Sequence, residues 1–322
     1  MKKLWLILFA LILLVHTSLA AGPHTHNEIG RELFAEQKSD FIKQCLPYQE
    51  SFLAGSVAPD ITVVYYYTNR GEAYRVAHNW NIVNELMKEA RTQDELCFVY
   101  GYAEHLIIDS IFHNYFIPEL IESTGIPNVF IHPLGEKKYD TIQVQNHPEL
   151  LETTPRMLDI MFTPKGDRYI EMLEKALGEN AQINVRNEFI NLASALGTFY
   201  ESAYKPRSEN IIFRAYPYVD KFTNFLAPVL AMSSAGKADS YFRKSKEEVT
   251  NVFNNWGTRY QLSPHGFEAL GEANQKASYW NWAFLFLAIS PFGLVYWRKN
   301  WWYTALIPAI VFVTLLVMYS II

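Results

Sequence analysis

Apolar residues recur along much of the chain with the three-to-four-residue spacing of amphipathic helices. Segments 27–37, 81–91, 187–204 and 241–256 each place their apolar residues on one side of a predicted helix. Segment 95–116 is longer and largely apolar, which is typical of a central helix buried on most sides. We find no series of alternating strands separated by hairpin turns. The pattern therefore predicts an all-α fold.

The first 20 residues have the pattern of a secretory signal peptide. Two lysines precede an apolar run over residues 4–15, and the small residues Ser18 and Ala20 suit cleavage before Ala21. The run is shorter than the roughly 20 residues of a membrane-spanning helix. We therefore predict a signal peptide at residues 1–20, with an uncleaved anchor as the alternative.

The C-terminal end is apolar in two longer runs, 279–297 and 301–321. Each is close to the roughly 20 residues that a helix needs to cross a bilayer, and tryptophans lie near their ends as in membrane-interface belts. Only Arg298, Lys299 and Asn300 separate the runs, which puts the basic turn in the cytoplasm by the positive-inside rule. The sequence predicts two transmembrane helices over 279–322 and one extracytoplasmic domain over 21–278.

Composition excludes two classes of protein. Half of the residues are hydrophobic and 15% are aromatic, far too apolar for a disordered or low-complexity chain. The 28 Lys and Arg residues against 33 Asp and Glu residues give a net charge of −5. A duplex nucleic-acid partner is not expected, because such surfaces carry a basic excess.

The chain has two cysteines, Cys45 and Cys97. In an oxidising compartment they can pair, although one bridge is not a disulfide framework. Two buried free thiols are the alternative, because cysteine is often a core residue.

Histidines are concentrated in the first half of the predicted domain. Seven of the nine lie between residues 24 and 147, far more than an even spread would place there. Neutral imidazole is a good zinc ligand, and nearby carboxylate oxygens can bridge two metal ions. The clustered histidines are His24, His26, His78, His105, His113, His132 and His147.

The strongest element is His105-x3-Asp109-x3-His113, within an otherwise apolar segment. Residues four apart lie above one another on a helix, so the three polar groups form one stripe. Burying them costs several kcal/mol, on the order of the transfer penalty of unpaired polar groups, unless partners satisfy them. Metal coordination would do so; a polar face that meets solvent or a hydrogen-bond network is the alternative.

Four further elements carry histidines or carboxylates. Each alone also has an ordinary structural explanation, as a turn, a helix cap or a surface histidine. A second histidine-carboxylate segment, His147-Pro-Glu149, is an alternative to the element that contains His132 and Glu136. The four are His24-Thr-His26, the loop from Ala54 to Asp60, His78 and its neighbours, and His132-x3-Glu136 followed by Asp140.

In this order the five elements resemble the zinc-dependent phospholipase C family, whose relatives include the S1/P1-type nucleases. The resemblance covers roughly residues 22–140. It implies an all-α fold that holds a cluster of zinc ions. The ligands it implies are His26, Asp60, His78, His105, Asp109, His113, His132 and Glu136.

The resemblance also implies how the ligands are shared. The secreted bacterial members bind one ion through the amine of an N-terminal tryptophan, whereas the mature chain here would begin at Ala21, so two or three ions are expected. A third ion would involve His26 and Asp109, with His24 as a substitute ligand. The first site would comprise Asp60, His78, His105 and a bridging Asp109, and the second would comprise His113, His132 and Glu136.

These inferences predict a membrane-anchored, zinc-dependent phosphodiester hydrolase, phospholipase C-like, in which zinc-bound hydroxide attacks phosphorus in line. Asp60 is assigned a catalytic role in orienting the water, and Glu104 is expected to point to another helix face. The substrate would be a phospholipid or another phosphodiester, and the domain would face outward at the cell membrane of a bacterial envelope. The alternatives are a nuclease or nucleotidase of the same fold, or a non-catalytic, metal-stabilised envelope protein. No motif indicates the oligomeric state.

Overall fold

A computed structural model describes residues 22–62, 71–124, 135–136, 139–140, 142–181, 183–190 and 239–256. These ranges form helices and turns, and no β-strand lies among them. The prediction of an all-α fold is confirmed for this part of the chain. The principal helices are α1 (Pro23–Glu36), α2 (Asp40–Cys45), α3 (Gln49–Val57), α4 (Gly71–Ala77), α5 (Trp80–Glu89), α6 (Gln93–Ile111), α7 (Ile117–Thr124), α8 (Leu150–Asp159), α9 (Pro164–Ala181) and α10 (239–254).

Within the described ranges, no helix combines the length and the apolar character needed to cross a bilayer. The signal peptide predicted at 1–20 and the helical hairpin predicted at 279–322 lie outside those ranges. Both therefore stay predictions, as does the extent of the domain between them.

Helix α6 forms the centre of the fold. The side chain of Thr92 accepts a hydrogen bond from the Glu95 amide at 3.2 Å, which caps the helix start. Glu95 in turn accepts one from the Arg91 amide, in an arrangement close to a capping box. From residue 97 to residue 111 every side chain is buried. The prediction of a central helix is confirmed, and the polar groups between residues 97 and 111 face protein rather than solvent.

Two glycines let α3 and α6 approach closely. A Cβ atom at Gly55 would lie 2.0 Å from the carbonyl oxygen of Phe98, and one at Gly101 would lie 1.8 Å from that of Phe52. Neither contact can be relieved by a side-chain movement, because the opposing atoms belong to the backbone. The glycines therefore set the separation of the two helices that carry Ser56 and His105.

The helical path widens where α6 ends. Residues Phe112–Phe116 form one π-helical turn, closed by a hydrogen bond from the Ile117 amide to the Phe112 carbonyl. Pro118, in the first turn of α7, has no amide hydrogen and its ring would collide with the carbonyl of Asn114 in a regular helix. The wider turn accommodates the proline, and it carries His113. The predicted helix 95–116 is thus α6 followed by this turn.

A disulfide joins the end of α2 to the start of α6. Cys45 and Cys97 are bonded and fully buried, which decides between the two alternatives for these cysteines in favour of the pair. Nearby, Phe41 and Phe253 pack into one aromatic cluster with Tyr100 and Trp256. Helix α10, distant in sequence, is thereby part of the same core.

Candidate metal centre

The predicted ligands come from separate elements and meet beside α6. His26 lies in α1, Asp60 in a 3₁₀ turn at Ala58–Thr62 that continues α3, and His78 directly after α4. His105 and Asp109 lie on α6 itself. All five side chains are buried. The fold therefore brings together five of the eight ligands predicted from the sequence.

Two groups of three potential ligands are present. In each group, one ligand atom per residue lies within 4.8 Å of the others. His105 belongs to both groups. One comprises Asp60, His78 and His105, and the other comprises His26, His105 and Asp109.

Asp109 belongs to the second group, and its two oxygens face different histidines of the cluster. Its Oδ2 atom lies 3.2 Å from Nε2 of His105 and 3.6 Å from Nε2 of His78. Its Oδ1 atom lies 3.5 Å from Nε2 of His26. This is the placement expected of a carboxylate that bridges two ions.

The next part of the cluster is formed by His113 and Glu136. Nε2 of His113 lies 3.5 Å from Oε1 of Glu136, and both side chains are buried. His132, their predicted companion, lies outside the described residues. The structure thus brings two of the three predicted ligands of this site together.

Backbone carbonyls orient two of the imidazoles. Nδ1 of His105 is 2.7 Å from the Ser56 carbonyl oxygen, and Nδ1 of His78 is 3.0 Å from the Tyr74 carbonyl oxygen. An Nδ1–H that donates to a carbonyl leaves Nε2 without a proton, and Nε2 then has a lone pair for a metal. In both residues it is Nε2 that faces the carboxylates.

Many polar atoms of the cluster make no hydrogen bond of acceptable geometry. They include both ring nitrogens of His26, Nε2 of His78 and His105, and both oxygens of Asp60 and Asp109. Buried polar groups in folded proteins are normally satisfied, so a group of orphans facing one another indicates a missing partner. A cation would supply that partner.

The electrostatics of the cluster point the same way. Burial raises the pKa of Asp60 well above its usual range. Burial also raises the pKa of Glu136, to about 8, although His113 opposes the shift. Burial lowers the pKa of His26 to about 4, and the charge of His105 adds to the effect. Cations held between these groups would favour ionised carboxylates and neutral imidazoles.

For His105 and Asp109, the neighbouring charges outweigh burial and shift the pKa in the direction that favours the charged form. Burial disfavours ionisation of both, but the charges of Asp109 and Asp60 raise the pKa of His105 to about 9. His105 and His113 likewise hold the pKa of Asp109 well below its usual range. The ion pairs of Asp60 and Asp109 in the described part of the chain are all with histidines. Nitrogen and carboxylate donors of this kind fit zinc.

Two of the clustered histidines lie apart from these groups. Nδ1 of His24 is 2.9 Å from Oγ1 of Thr154, and His24 is in neither group of three. His147 is 39% exposed and its Nε2 lies 3.4 Å from a carboxylate oxygen of Glu28. The structure therefore places neither His24 nor the competing segment at 147–149 in the cluster.

Asp140 has a structural role at the start of α1. Its Oδ1 atom accepts hydrogen bonds from the backbone amide and the hydroxyl of Thr25, at 2.9 and 2.6 Å. A Cβ at Gly22 would lie only 1.9 Å from the Asp140 carboxylate, so a larger residue there would displace this side chain from Thr25. This contact fixes the first turn of α1, which carries His26.

The structure corrects the expectation for Glu104. Instead of pointing away from the cluster, its side chain is fully buried and Oε2 lies 3.9 Å from Nδ1 of His26. The expectation was wrong because it considered helical spacing within α6 alone, whereas the neighbour is supplied by α1. A signal was present in the sequence: Glu104 is a charged residue within the apolar run 97–108.

Residues 25–182 match the family model described as zinc-dependent phospholipase C. The match covers just under half of the chain. No curated protein and no solved structure matched the chain. The matched segment extends from the first turn of α1 to the end of α9 and includes all eight predicted ligands, whereas α10 lies beyond it and still packs on its core. The family resemblance inferred from the motifs is thereby confirmed.

The family assignment gives the buried cluster a chemical context. The clustered histidines and aspartates of this phospholipase C-family segment are compatible with binding of metal ions. The family match supports a hydrolase and, at the level of the family, a phosphodiesterase. The bond cleaved and the substrate are questions for the chemistry of the site.

Proposed function

We propose that this protein is a membrane-anchored, zinc-dependent phosphodiester hydrolase that acts on phospholipids. The observation that carries the proposal is the buried cluster around α6, in which facing histidine nitrogens and aspartate oxygens lack hydrogen bonds. Such an arrangement is costly in a protein that binds no cation, since unpaired buried polar groups cost about 1–3 kcal/mol each. The cost is offset when the same atoms coordinate metal.

The proposed ligands are those of the sequence prediction. Asp60, His78, His105 and Asp109 would hold one ion, with Asp109 shared, and His113, Glu136 and His132 would hold another. His26 and Asp109 would contribute to a third. When bound, zinc lowers the pKa of a coordinated water to about 7 and stabilises charge on the oxygens around phosphorus.

The side chains of the chain have separable tasks in this proposal. Asp109 holds the two groups at a fixed separation through its two oxygens. Asp60, whose Oδ1 lies 3.8 Å from Nε2 of His105, is proposed to orient the attacking water as well as to bind metal. The carbonyls of Ser56 and Tyr74 keep the Nδ1 protons of His105 and His78 away from the reacting centre.

The proposed site of action is the outer face of a membrane. The Cys45–Cys97 disulfide supports an oxidising compartment, because such bonds rarely persist in the cytosol of mesophiles. The predicted signal peptide and the predicted hairpin at 279–322 would deliver the domain there and keep it beside lipid. A bacterial envelope is the proposed location.

The experiment that tests the function uses the full-length chain purified in detergent. Metal analysis should find two or three zinc ions per chain, and chelation should abolish hydrolysis until zinc is restored. Phosphatidylcholine in mixed micelles and single-stranded DNA should be compared as substrates. Release of phosphocholine from the lipid, with little turnover of DNA, is the expected result.

Other outcomes separate the parts of the proposal. Turnover of DNA without turnover of lipid would overturn the lipid substrate in favour of a nuclease. Bound zinc without hydrolysis of either substrate would overturn the enzyme and leave a metal-stabilised protein. Absence of zinc from a chain reconstituted with it would overturn the metal centre itself.

A further inference from the structure

His26 differs from the other two histidines of the two groups in what faces its Nδ1 atom. In His78 and His105, Nδ1 lies within 3.0 Å of a backbone carbonyl oxygen, and Nε2 faces Asp109. In His26, Nε2 also faces Asp109, but no carbonyl is bonded to Nδ1. The group that faces it is the carboxylate of Glu104, at 3.9 Å.

In the described part of the chain, the contact with His26 is the one that explains a carboxylate at position 104. Its side chain is completely buried, neither oxygen makes a hydrogen bond, and its ion pair is with His26. A buried carboxylate without a partner is strongly disfavoured. A residue kept at such a cost in a core helix has a task, and His26 is the neighbour that defines it.

The ring of His26 is already held in its plane. It stacks on the ring of His105, with centroids 4.0 Å apart and an angle of 10° between the planes. Stacking fixes the plane but leaves open which nitrogen carries the proton and how the ring is turned within that plane. Groups placed at the two nitrogens decide both.

We infer that Glu104 is a positioning residue that accepts a hydrogen bond from Nδ1–H of His26 and so presents the lone pair of Nε2 to a metal ion beside Asp109. The inference rests on the proposed function, since it assumes that the cluster binds zinc. A contraction of about 1 Å brings the two atoms from 3.9 Å to hydrogen-bond distance. Glu104 then does for His26 what the carbonyls of Ser56 and Tyr74 do for the other imidazoles.

This arrangement makes the ion beside His26 the one most affected by Glu104. Outer-sphere partners of this kind typically contribute 10–100-fold to metal affinity, on the order of one to three kcal/mol. A carboxylate also makes the imidazole a more basic ligand than a carbonyl does. The site where His26 and Asp109 meet has few ligands among the described residues. Glu104 therefore compensates by strengthening the binding of the ion through His26.

The test measures zinc binding and apo-protein stability, neither of which needs a substrate. Full-length wild type and the variants E104Q and E104L are titrated with zinc against a competing chelator, and their thermal midpoints are measured in the chelated state. E104L should lose about 10–100-fold in affinity for one zinc ion. E104Q should lose less, because its amide oxygen still accepts the Nδ1 proton.

The apo-protein measurement separates positioning from a general structural role. Replacing an unbonded buried carboxylate by leucine should leave the chelated midpoint unchanged or raised. E95Q, which removes a buried carboxylate from the same helix but outside the cluster, should lower stability and leave zinc affinity unchanged. In an H26A background, E104L should cause no further loss of affinity, because the two residues act through one contact.

Several results would overturn the inference while leaving the proposed function intact. Wild-type zinc affinity in E104L, or an additional loss in the H26A background, would exclude action through His26. Loss of one ion from E104Q as complete as from E104L would make Glu104 a direct ligand instead. If E104L does not fold, the unbranched E104M takes its place, since it also lacks the acceptor oxygen and unchanged zinc affinity there rejects the hydrogen bond. A wild-type chain that binds no zinc would reject the proposed function itself.

Discussion

At the scale of single residues, the imidazoles of His26, His78 and His105 each have a neighbouring group at both ring nitrogens. The sequence identified the histidines and carboxylates by type and spacing, and the stripe His105, Asp109 and His113 followed from helical geometry alone. The outer partners were not predictable in this way. Ser56 and Tyr74 act through backbone carbonyls, which any residue has, and Glu104 meets His26 only because α1 crosses α6.

Asp109→Asn should remove the bridge between the two groups. An amide offers one oxygen in place of the two that face His26 and His105, and it brings no negative charge. Zinc affinity should fall by more than the roughly 10–100-fold that loss of an outer-sphere partner costs, and hydrolysis should be lost with it. Zinc analysis and activity after dialysis measure both effects.

His147→Ala is the matched control for that variant. His147 is a histidine of the same predicted series, but it is partly exposed and pairs with Glu28 away from the cluster. Zinc content and hydrolysis should stay close to wild type. Loss of zinc from H147A, or full zinc content in D109N, would contradict the assignment of ligands.

At the scale of secondary structure, the close packing of α3 on α6 determines the geometry of the site. The carbonyl of Ser56 reaches His105 because glycines at 55 and 101 allow the two backbones to approach. Helix α6 was predictable as a buried apolar segment. The π turn at Phe112–Phe116 was not, since the apolar periodicity of 95–116 continues through it and gives no sign of the wider spacing around Pro118.

Gly101→Ala should separate the two helices. Its Cβ would meet the Phe52 carbonyl at 1.8 Å, and a backbone atom cannot turn aside as a side chain can. We expect a loss of about 1–3 kcal/mol in the free energy of unfolding, as for other overpacked cores, together with weaker zinc binding. Denaturant unfolding and chelator competition on the same preparation measure the two quantities.

Gly30→Ala provides the comparison within α1. The new methyl group would there meet the end of the Leu53 side chain at 2.6 Å, which can move, and alanine favours a helix over glycine by about 1 kcal/mol. The cost should be smaller than for G101A, and zinc binding should be retained. An equal loss of zinc binding in both variants would show that the α3–α6 contact has no special role.

At the scale of the whole molecule, the core extends beyond the segment that matches the family. Helix α10 contributes Phe253 to the aromatic cluster around Phe41, and Lys246 forms ion pairs with Glu32 and Glu36 of α1. The apolar face of α10 followed from the sequence, as Phe242, Val249 and Val252 are all buried. The residues that α10 contacts could not be predicted, because contacts between segments some 200 residues apart produce no periodic pattern in a single sequence.

The Cys45–Cys97 disulfide should contribute strongly to the stability of this core. It closes a loop of 52 residues, for which the chain-entropy model gives about 4 kcal/mol. We expect the C45A/C97A double variant to lose stability of this order in denaturant unfolding under oxidising conditions. Added reductant should destabilise the wild type and leave the double variant unaffected.

An equal response of both proteins to reductant would contradict a structural disulfide. The comparison is independent of zinc when both proteins are measured with chelator present. It therefore tests the fold without assuming anything about the site.

Helix α6 contributes Glu104, His105 and Asp109, and His113 follows directly in the π turn. Every proposed ion therefore depends on the position of this one helix. A small tilt or slide of this helix would change the distances from His105 and Asp109 to the donor atoms of the other elements. The Cys45–Cys97 disulfide holds the other end of this helix, so a displacement there would be transmitted along α6 to the proposed ligands, about two helical turns away.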